Sequence, residues 1–153
     1  MATGFLDVID SYFTCEFTTI GRSGSPQTWP VTFRLLTDGR FFIATSIGLP
    51  QKAFNIRRNP KVSLLFSDPT GSGVAQPSTV LVQGDAVCGD RIVSDVATSP
   101  DLAALAETLS ARQPAGAFMS SWLGDGCSGL TTRHTRQILL RLLSHSRRWL
   151  LDS

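Results

Sequence analysis

The residues best suited to chemistry lie close together in residues 44–61 (ATSIGLPQKAFNIRRNPK). Thr45 and Ser46 end a predicted strand, a glycine-containing turn follows, and Lys52 lies in the first turn of a predicted helix. Hydroxyl groups, free amides at the helix start and an ammonium group would converge there, and such a site favours an anion, most commonly a phosphate. Further positive charge follows on Arg57, Arg58 and Lys61. The alternative interpretation is a solvated basic helix face.

A second candidate surface is one face of the strand predicted over residues 28–35. Alternation along this strand assigns Trp29 to an apolar face, which it shares with Val31 and Phe33 and which we expect in the core. The opposite face carries Thr28, Pro30, Thr32 and Arg34. Hydroxyl groups, a rigid proline and a guanidinium can together line a ligand groove. An ordinary solvent-facing strand would show the same pattern.

Most other catalytic chemistries lack their motifs. The two histidines, His134 and His145, occur without HExxH or cysteine–histidine spacing, so no metal site is expected. Neither a G-x-S-x-G elbow nor a Walker A sequence is present. Residues 124–129 (GDGCSG) match a dinucleotide-binding pattern, but the 24 residues that follow are too few to complete the βαβ unit which that pattern requires.

Charge and cysteine usage limit the expected partners and compartment. The net charge of +2 predicts no nucleic-acid partner, and the C-terminal arginines lack the interleaved aromatic residues of a nucleic-acid site. The 3 cysteines include no CxxC pair, which indicates reduced thiols. No apolar run reaches membrane-spanning length, and the first residues lack the basic region of a secretory signal. We therefore expect a cytoplasmic protein with no membrane partner.

The elements that must position these residues are mainly strands. Asp38-Gly39 predicts a two-residue hairpin turn, and Pro50 predicts the start of a short helix. The predicted strands cover residues 15–20, 28–35, 41–45, 62–67 and 79–87, and a longer helix covers 100–112. The pattern indicates a single domain, 1–153, with a core antiparallel barrel over 13–88. Residues 90–135 are expected to be helical or irregular, and 137–151, whose leucines fit a helix or a strand, to form a final strand.

Several segments occur in the order typical of one known family. They are TTIG, GRSGSP, TWPVTF, the DG hairpin, IATSIGLPQKAFNIRRNPKVSLLFSDPTGSG and VLVQGDA, and the run K-x-x-N-I-R-R-N-P-x-V-S-L is the most specific. Over residues 13–88 the chain resembles the pyridoxamine 5′-phosphate oxidase-like split barrels, especially their flavin/deazaflavin-dependent oxidoreductase branch. The resemblance implies a mainly β (α+β) fold, a six-stranded antiparallel split β-barrel with short flanking helices. It also implies a homodimer with the cofactor at the interface.

The same resemblance implies a set of cofactor-binding residues. Lys52 corresponds to the phosphate-binding lysine, so the residue chemistry and the family pattern indicate the same place. Lys52 would be assisted by Asn55, or by Arg57 and Arg58. The isoalloxazine or deazaflavin ring would lie along Trp29, Pro30, Val31 and Thr32, beside the strand end Ala44, Thr45 and Ser46, with Gln83 completing the site.

The function implied by the resemblance is that of an oxidoreductase. It would transfer a hydride between bound FMN or coenzyme F-420 and a small organic substrate. Either cofactor needs a phosphate site such as Lys52, and the longer tail of F-420 would need a further basic groove, for which Arg57, Arg58 and Lys61 are candidates. No side chain qualifies as a catalytic acid or base. The alternative is a non-catalytic flavin- or haem-binding split-barrel protein.

Overall fold

A computed structural model describes residues 5–46, 49–70, 77–93, 99–112, 137–142 and 147–151. The predicted strands and helices are present. The helices are α1 (Phe5–Ser11), α2 (Gln51–Arg58) and α3 (Pro100–Arg112). The strands are β1 (Thr14–Ile20), β2 (Pro26–Thr32), β3 (Arg34–Leu35), β4 (Phe41–Ser46), β5 (Lys61–Phe66), β6 (Thr79–Val93), β7 (Gln137–Leu142) and β8 (Arg147–Leu151).

The strands form a closed antiparallel barrel. Their order is β2-β1-β5-β6-β7-β4-β3, and only Phe33 separates β2 from β3, so the two ends of this order meet in one stretch of chain. β7 and β8 pair with successive parts of one side of β6, and β5 pairs with the other side of β6. With β2 and β3 counted as one strand and β7 and β8 as one edge of β6, the barrel has the predicted six strands. The predicted fold class is therefore confirmed.

The first two hairpins are closed by glycines in the left-handed region. Gly24 has φ of 82° in the β1–β2 turn, and Gly39 has φ of 79° in the β3–β4 turn. Two backbone hydrogen bonds close the second turn. Leu36 N donates to Arg40 O at 2.8 Å, and Gly39 N donates to Leu36 O at 2.9 Å. The loop thus contains three residues, 37–39, and the predicted two-residue turn is wrong. A glycine at the third loop position is typical of three-residue hairpins.

The barrel interior is filled by the inward face of each strand. Phe17, Leu64 and Val82 are fully buried on neighbouring strands in direct register. An aromatic cluster closes one region of this core, with Phe66 in ring contact with Tyr12, Phe33 and Phe41. Val31 and Phe33 are buried, and Trp29 packs against them at the margin of the core, which confirms the predicted apolar face of β2.

The helices are attached to the outside of the barrel by apolar faces. Ala53 and Ile56 anchor α2 to the main core, and Leu102 and Leu105 of α3 form a second cluster over Phe42. Arg34 donates from Nη1 to Ala104 O at 3.0 Å and to Thr108 Oγ1 at 3.1 Å, so it holds α3. The hypothesis that Arg34 lines a ligand groove together with Pro30 and Thr32 is not supported, because its guanidinium is committed to this helix.

Parts of the sequence predictions lie outside the described residues. These include both histidines, Cys127 and the GDGCSG segment. The segment that fits either a helix or a strand contributes strands β7 and β8. In the described part of the chain, no helix is both long and apolar enough to span a membrane.

We predict that the two leucines with opposite exposure respond differently to truncation. Leu64→Ala removes a side chain that is 0% exposed and should lower the free energy of unfolding by about 2–5 kcal/mol, because it leaves a cavity in the barrel. Leu49 is 68% exposed, and Leu49→Ala should change that free energy by no more than about 0.5 kcal/mol. Urea unfolding of both variants measures the difference. Equal losses would contradict the assignment of Leu64 to the core.

Candidate functional site

The candidate site is built around Lys52 in the first turn of α2. Lys52 is 7% exposed, because Ala53 and Ile56 hold this turn against the barrel. Its Nζ atom lies 5.0 Å from the centroid of the Trp29 ring on β2, within the range of a cation–π interaction. No carboxylate of the described residues forms an ion pair with Lys52. The site therefore contains a largely buried cation whose described neighbour is an aromatic face.

Burial also changes the protonation equilibrium of Lys52. Loss of hydration disfavours the ammonium form and lowers the pKa of Lys52 from its ordinary value. An anion bound beside Nζ would reverse this effect, because an opposite charge favours the ammonium form. The local environment of Lys52 is thus better satisfied with a bound anion than without one.

The start of α2 adds backbone donors to this site. Pro50 is the N-cap residue, and no described side chain forms a capping hydrogen bond there. At this end of α2, Phe54 N donates to Pro50 O at 3.1 Å. Thr45, which is 4% exposed, donates from Oγ1 to Leu49 O at 3.2 Å and so ties the end of β4 to the residue before Pro50. The side chain of Ser46 lies outside the described set.

A polar network lies beside Lys52 along an adjoining side of α2, centred on Asn55. Asn55 is fully buried, and its Nδ2 donates to Thr19 Oγ1 and to Gln27 Oε1, both at 2.8 Å. Its Oδ1 accepts from Gln51 Nε2 at 2.8 Å and from Arg58 Nη2. These five residues, called the Asn55 network below, join α2 to strands β1 and β2. Because residues three and four apart share a helix face, Gln51, Asn55 and Arg58 form one stripe along α2, and of these three only Asn55 is spaced to neighbour Lys52.

The other basic residues of this region point elsewhere. Arg57 is exposed and donates from Nη2 to Gly89 O on β6 at 3.3 Å. Burial raises the pKa of the neighbouring Cys88 thiol, and Arg57 partly offsets this rise. Lys61 Nζ lies 2.7 Å from Asp85 Oδ1, its cross-strand neighbour. Of the three additional cations predicted near Lys52, Arg57 and Lys61 contact β6, and Arg58 contacts Asn55.

The remaining predicted residues belong to three different surfaces. Val31 is buried in the barrel core, and Ala44 packs against the cluster beneath α3. Pro30 and Thr32 lie on the outward face of β2, and Gln83 is exposed on β6. Register links these strands, since Thr28, Thr18, Ser63 and Gln83 form one row across β2, β1, β5 and β6. Pro30, Thr32 and Gln83 therefore share the outer face of one sheet, whereas Lys52 and Asn55 belong to the α2 group.

Three polar residues of the network were missed in the sequence. Thr19 is fully buried on the inward face of β1, in phase with Phe17 and Cys15, and Gln51 and Gln27 complete the set. A Cβ at Gly21 would lie 3.0 Å from Gln27 Cδ, so the absence of a side chain there makes room for Gln27. A hydroxyl residue on the apolar face of β1 was the available signal, because buried polar groups require partners.

One cavity lies apart from this site. It has a volume of about 260 Å³ and is lined by Asp10, Phe33, Arg34, Leu35 and Thr108, between α1, β3 and α3. None of the predicted cofactor residues lines it. No cluster of three or more metal-ligating side chains occurs within the described ranges.

Solved structures with the same fold cover nearly the whole chain. An F-420 reductase is 18% identical, with 96% of this chain and 98% of that chain covered and a TM-score of 0.58. HutZ, the haem storage protein of Vibrio cholerae, is 21% identical, with 95% and 90% covered and a TM-score of 0.54. A Clostridium acetobutylicum protein of the pyridoxinephosphate oxidase family, related to general stress protein 26 of B. subtilis, is 15% identical, with 95% and 84% covered and a TM-score of 0.54.

A comparison with protein families identifies the family of this chain. No curated protein matches the chain at a significant level. The family model described as pyridoxamine 5′-phosphate oxidase matches residues 5–120, well over half of the chain, and includes β1 to β6 and the whole of α2. The chain therefore belongs to the pyridoxamine 5′-phosphate oxidase family.

Proposed function

We propose that this protein is an oxidoreductase that binds FMN or coenzyme F-420 and transfers a hydride between that cofactor and a small organic substrate. The observation that carries the proposal is the buried Lys52 ammonium at the start of α2, held over Trp29 without a carboxylate partner among the described residues. Both cofactors carry a phosphate group that suits such a position. In enzymes of this type the cofactor supplies the redox chemistry and the protein supplies binding, orientation and electrostatics.

The role of Lys52 follows from its surroundings. A phosphate beside Nζ would gain a charge-assisted hydrogen bond in a partly dehydrated place, where electrostatic attraction is stronger than in water. The free amides at the start of α2 would add donors to the same anion. Thr45 holds Leu49 just before the helix, and Ser46 would extend the site from the end of β4. Arg58, which donates to Asn55 Oδ1, would be the second cation on α2.

The ring of the cofactor would lie nearer the sheet. Trp29 offers an aromatic surface beside Lys52, and the backbone of Val31 is available although its side chain is buried. Pro30, Thr32 and Gln83 lie on the outer sheet face, and Ala44 and Arg57 are committed to other neighbours. One chain thus divides the proposed cofactor contacts between two surfaces.

A homodimer would bring these two surfaces to one cofactor. We propose that the outer face of β1, β2, β5 and β6 packs against a second copy, with the cofactor at the interface. Leu65 and Leu81 contribute partly exposed apolar surface to this face, and Ser63 lies at its centre beside Gln83. The free thiols of Cys15 and Cys88 agree with a cytoplasmic location, which we also propose.

The second candidate function is cofactor or haem binding without turnover. The likeness to HutZ, which is a haem storage protein, favours keeping this candidate. The likeness to an F-420 reductase favours the redox function in the same way. Titration with FMN, F-420 and haem, followed by anaerobic reduction of the bound cofactor, separates the two. A protein that takes up haem alone, or whose bound flavin no donor reduces, would support storage or binding.

We predict that Lys52→Met weakens binding of the phosphate-bearing cofactor by roughly 10- to 150-fold, the equivalent of a charged hydrogen bond. Methionine keeps an apolar stem beside Trp29 while it removes the charge. Fluorescence titration with FMN and with F-420 measures the change. Riboflavin, which lacks the phosphate, should bind both proteins with similar affinity.

Arg40→Gln is the matched control for this prediction. It also removes one positive charge, but Arg40 pairs with Asp38 at the end of β4 opposite to α2. Its cofactor affinity should equal that of the unchanged protein. If Lys52→Met and Arg40→Gln bind FMN and F-420 equally well, the phosphate does not lie at Lys52.

We predict that cofactor affinity falls at alkaline pH before an ordinary lysine would lose its proton. Burial lowers the pKa of Lys52 below its ordinary value of 10.5, and only the ammonium form attracts a phosphate. Affinity should therefore be constant near neutral pH and decline as the pH rises through the lowered pKa. Bound phosphate raises that pKa again, so binding at alkaline pH should take up protons. Calorimetry in buffers of different ionisation enthalpy detects this uptake, and Lys52→Met should show none.

We predict that the protein is a dimer and that cofactor binding depends on it. Light scattering should give twice the mass of one chain, and Ser63→Arg should produce monomers, because a bulky charge would enter the centre of the proposed interface. Ser23→Arg, on the exposed β1–β2 turn, should remain dimeric. Monomers that still bind the cofactor with full affinity would show that the site is complete within one chain.

A further inference from the structure

Gln27 lies where strand β2 meets helix α2. Over the described residues, β2 pairs with β1 alone and has no second strand ladder on its other side. The Gln27 side chain is exposed, yet its Oε1 atom accepts a hydrogen bond of 2.8 Å from the buried Nδ2 of Asn55. An edge strand has only one ladder to hold it in place. Side-chain contacts with α2 therefore contribute more to fixing β2 than they would for an inner strand.

β2 and α2 are joined at two successive points. Gln27 and Trp29 are two residues apart and so share one face of β2, and Asn55 lies three residues after Lys52 and so neighbours it on α2. Gln27 contacts Asn55, and the Trp29 ring centroid lies 5.0 Å from Lys52 Nζ. The first contact is a directional hydrogen bond, whereas the second is an attraction between a charge and a ring that tolerates sliding. The hydrogen bond is thus the contact that fixes the position of the strand.

The Gln27 side chain has one place and one orientation. Arg58 has only donors, so Asn55 must turn its oxygen towards Arg58 and its amino group towards the strands. Gln27 must then present its oxygen, because Thr19 accepts the other hydrogen of the same amino group at 2.8 Å. On the far side, a Cβ at Gly21 would lie 3.0 Å from Gln27 Cδ. The amide of Gln27 is therefore held between the backbone of one turn and the side chain of Asn55.

We propose that Gln27 is a positioning residue that holds the Trp29 ring against Lys52. Its hydrogen bond to Asn55 ties β2 to α2 two residues before Trp29, and the strand backbone transmits this constraint to the ring. Without the bond, β2 could move away from α2, and water could reach the Lys52 ammonium. An ammonium that regains water gains less from a bound anion, so Gln27 also affects anion affinity. The link to FMN or F-420 rests on the proposed function, whereas the position of the ring is tested without any cofactor.

The lysine content of the chain allows a direct measurement of this position. The sequence contains two lysines, Lys52 and Lys61. Protons over the face of an aromatic ring resonate upfield of their ordinary position, so the Lys52 Hε signals should lie upfield of those of Lys61, whose side chain is 71% exposed. NMR of the purified protein carrying lysine labelled with ¹³C at Cε resolves both sets of signals. Trp29→Leu should abolish the upfield shift, and a shift that survives this change would overturn the proposal.

Gln27→Met is the informative substitution because it removes the acceptor and keeps the length of an exposed side chain. It should move the Lys52 Hε signals downfield, towards those of Lys61, and leave the Lys61 signals in place. Gln27→Glu retains an acceptor and should keep the upfield shift. Ser23→Ala is the matched control, because it removes a side-chain hydrogen bond from the adjoining β1–β2 turn without touching α2. If Gln27→Met lowers stability and leaves the Lys52 signals unmoved, Gln27 is merely structural and the proposal fails.

Cofactor affinity provides a second measurement. Gln27→Met should weaken binding of FMN or F-420, whichever the protein takes up, by about two- to fivefold, as expected for one displaced cation–π contact. Adding Gln27→Met to Lys52→Met should weaken it no further, because both changes act on the same ammonium. Effects that multiply in the double variant would overturn the proposal.

The two measurements separate this inference from the proposed function. If the Lys52 signals respond to Gln27→Met while neither FMN nor F-420 binds, the proposed function fails and the role of Gln27 stands. If a cofactor binds through Lys52 but the Lys52 signals do not respond, the role of Gln27 fails and the proposed function stands.

Discussion

The attachment of α2 to the barrel through the Asn55 amide is the constraint on which the rest of the site depends. α2 has only eight residues, too few for an isolated helix to be stable in water. Its apolar residues Ala53 and Ile56 secure it by burial, which is not directional. The hydrogen bonds from Asn55 to Thr19 and Gln27 are directional and fix the rotation of the helix about its axis. That rotation decides which residues of α2 face Trp29.

The burial of Lys52 is the principal consequence of this rotation. The same orientation that buries Asn55 places the residue three positions earlier against the barrel, where its ammonium loses hydration. A buried cation opposes folding unless a partner or an aromatic face compensates it. Among the described residues, the ring of Trp29 offsets part of the cost of burying the Lys52 ammonium. The burial of Ala53 and Ile56 must offset the rest. Such a local penalty at a binding site is a common exchange of stability for ligand affinity.

The features of this protein that can be predicted from its sequence are local ones, such as strands, helices and the faces of a strand. Alternation in residues 28–35 correctly predicts the inward face of β2, and the strand before Lys52 and the helix that carries it follow from residue types alone. The direction of long side chains is not local. Arg34, Arg57 and Lys61 carry the same charge as Arg58, yet α3, Gly89 and Asp85 determine where the first three point. The partners of Asn55 were missed for the same reason, since β1 and β2 meet α2 only in the folded chain.

Within one chain, the predicted cofactor-binding residues lie on two separate surfaces. This separation limits how copies of the chain can assemble around one cofactor. Trp29 and Pro30 are adjacent in sequence, but strand geometry turns them to opposite faces of β2. A small ring held beside Trp29 and Lys52 cannot also contact Pro30 and Gln83 of the same chain through side chains, because the sheet lies between them. The resemblance to the family implies that all four residues contact one cofactor. Both conditions are met if two copies pack so that one contributes its α2 face and the other its outer sheet face.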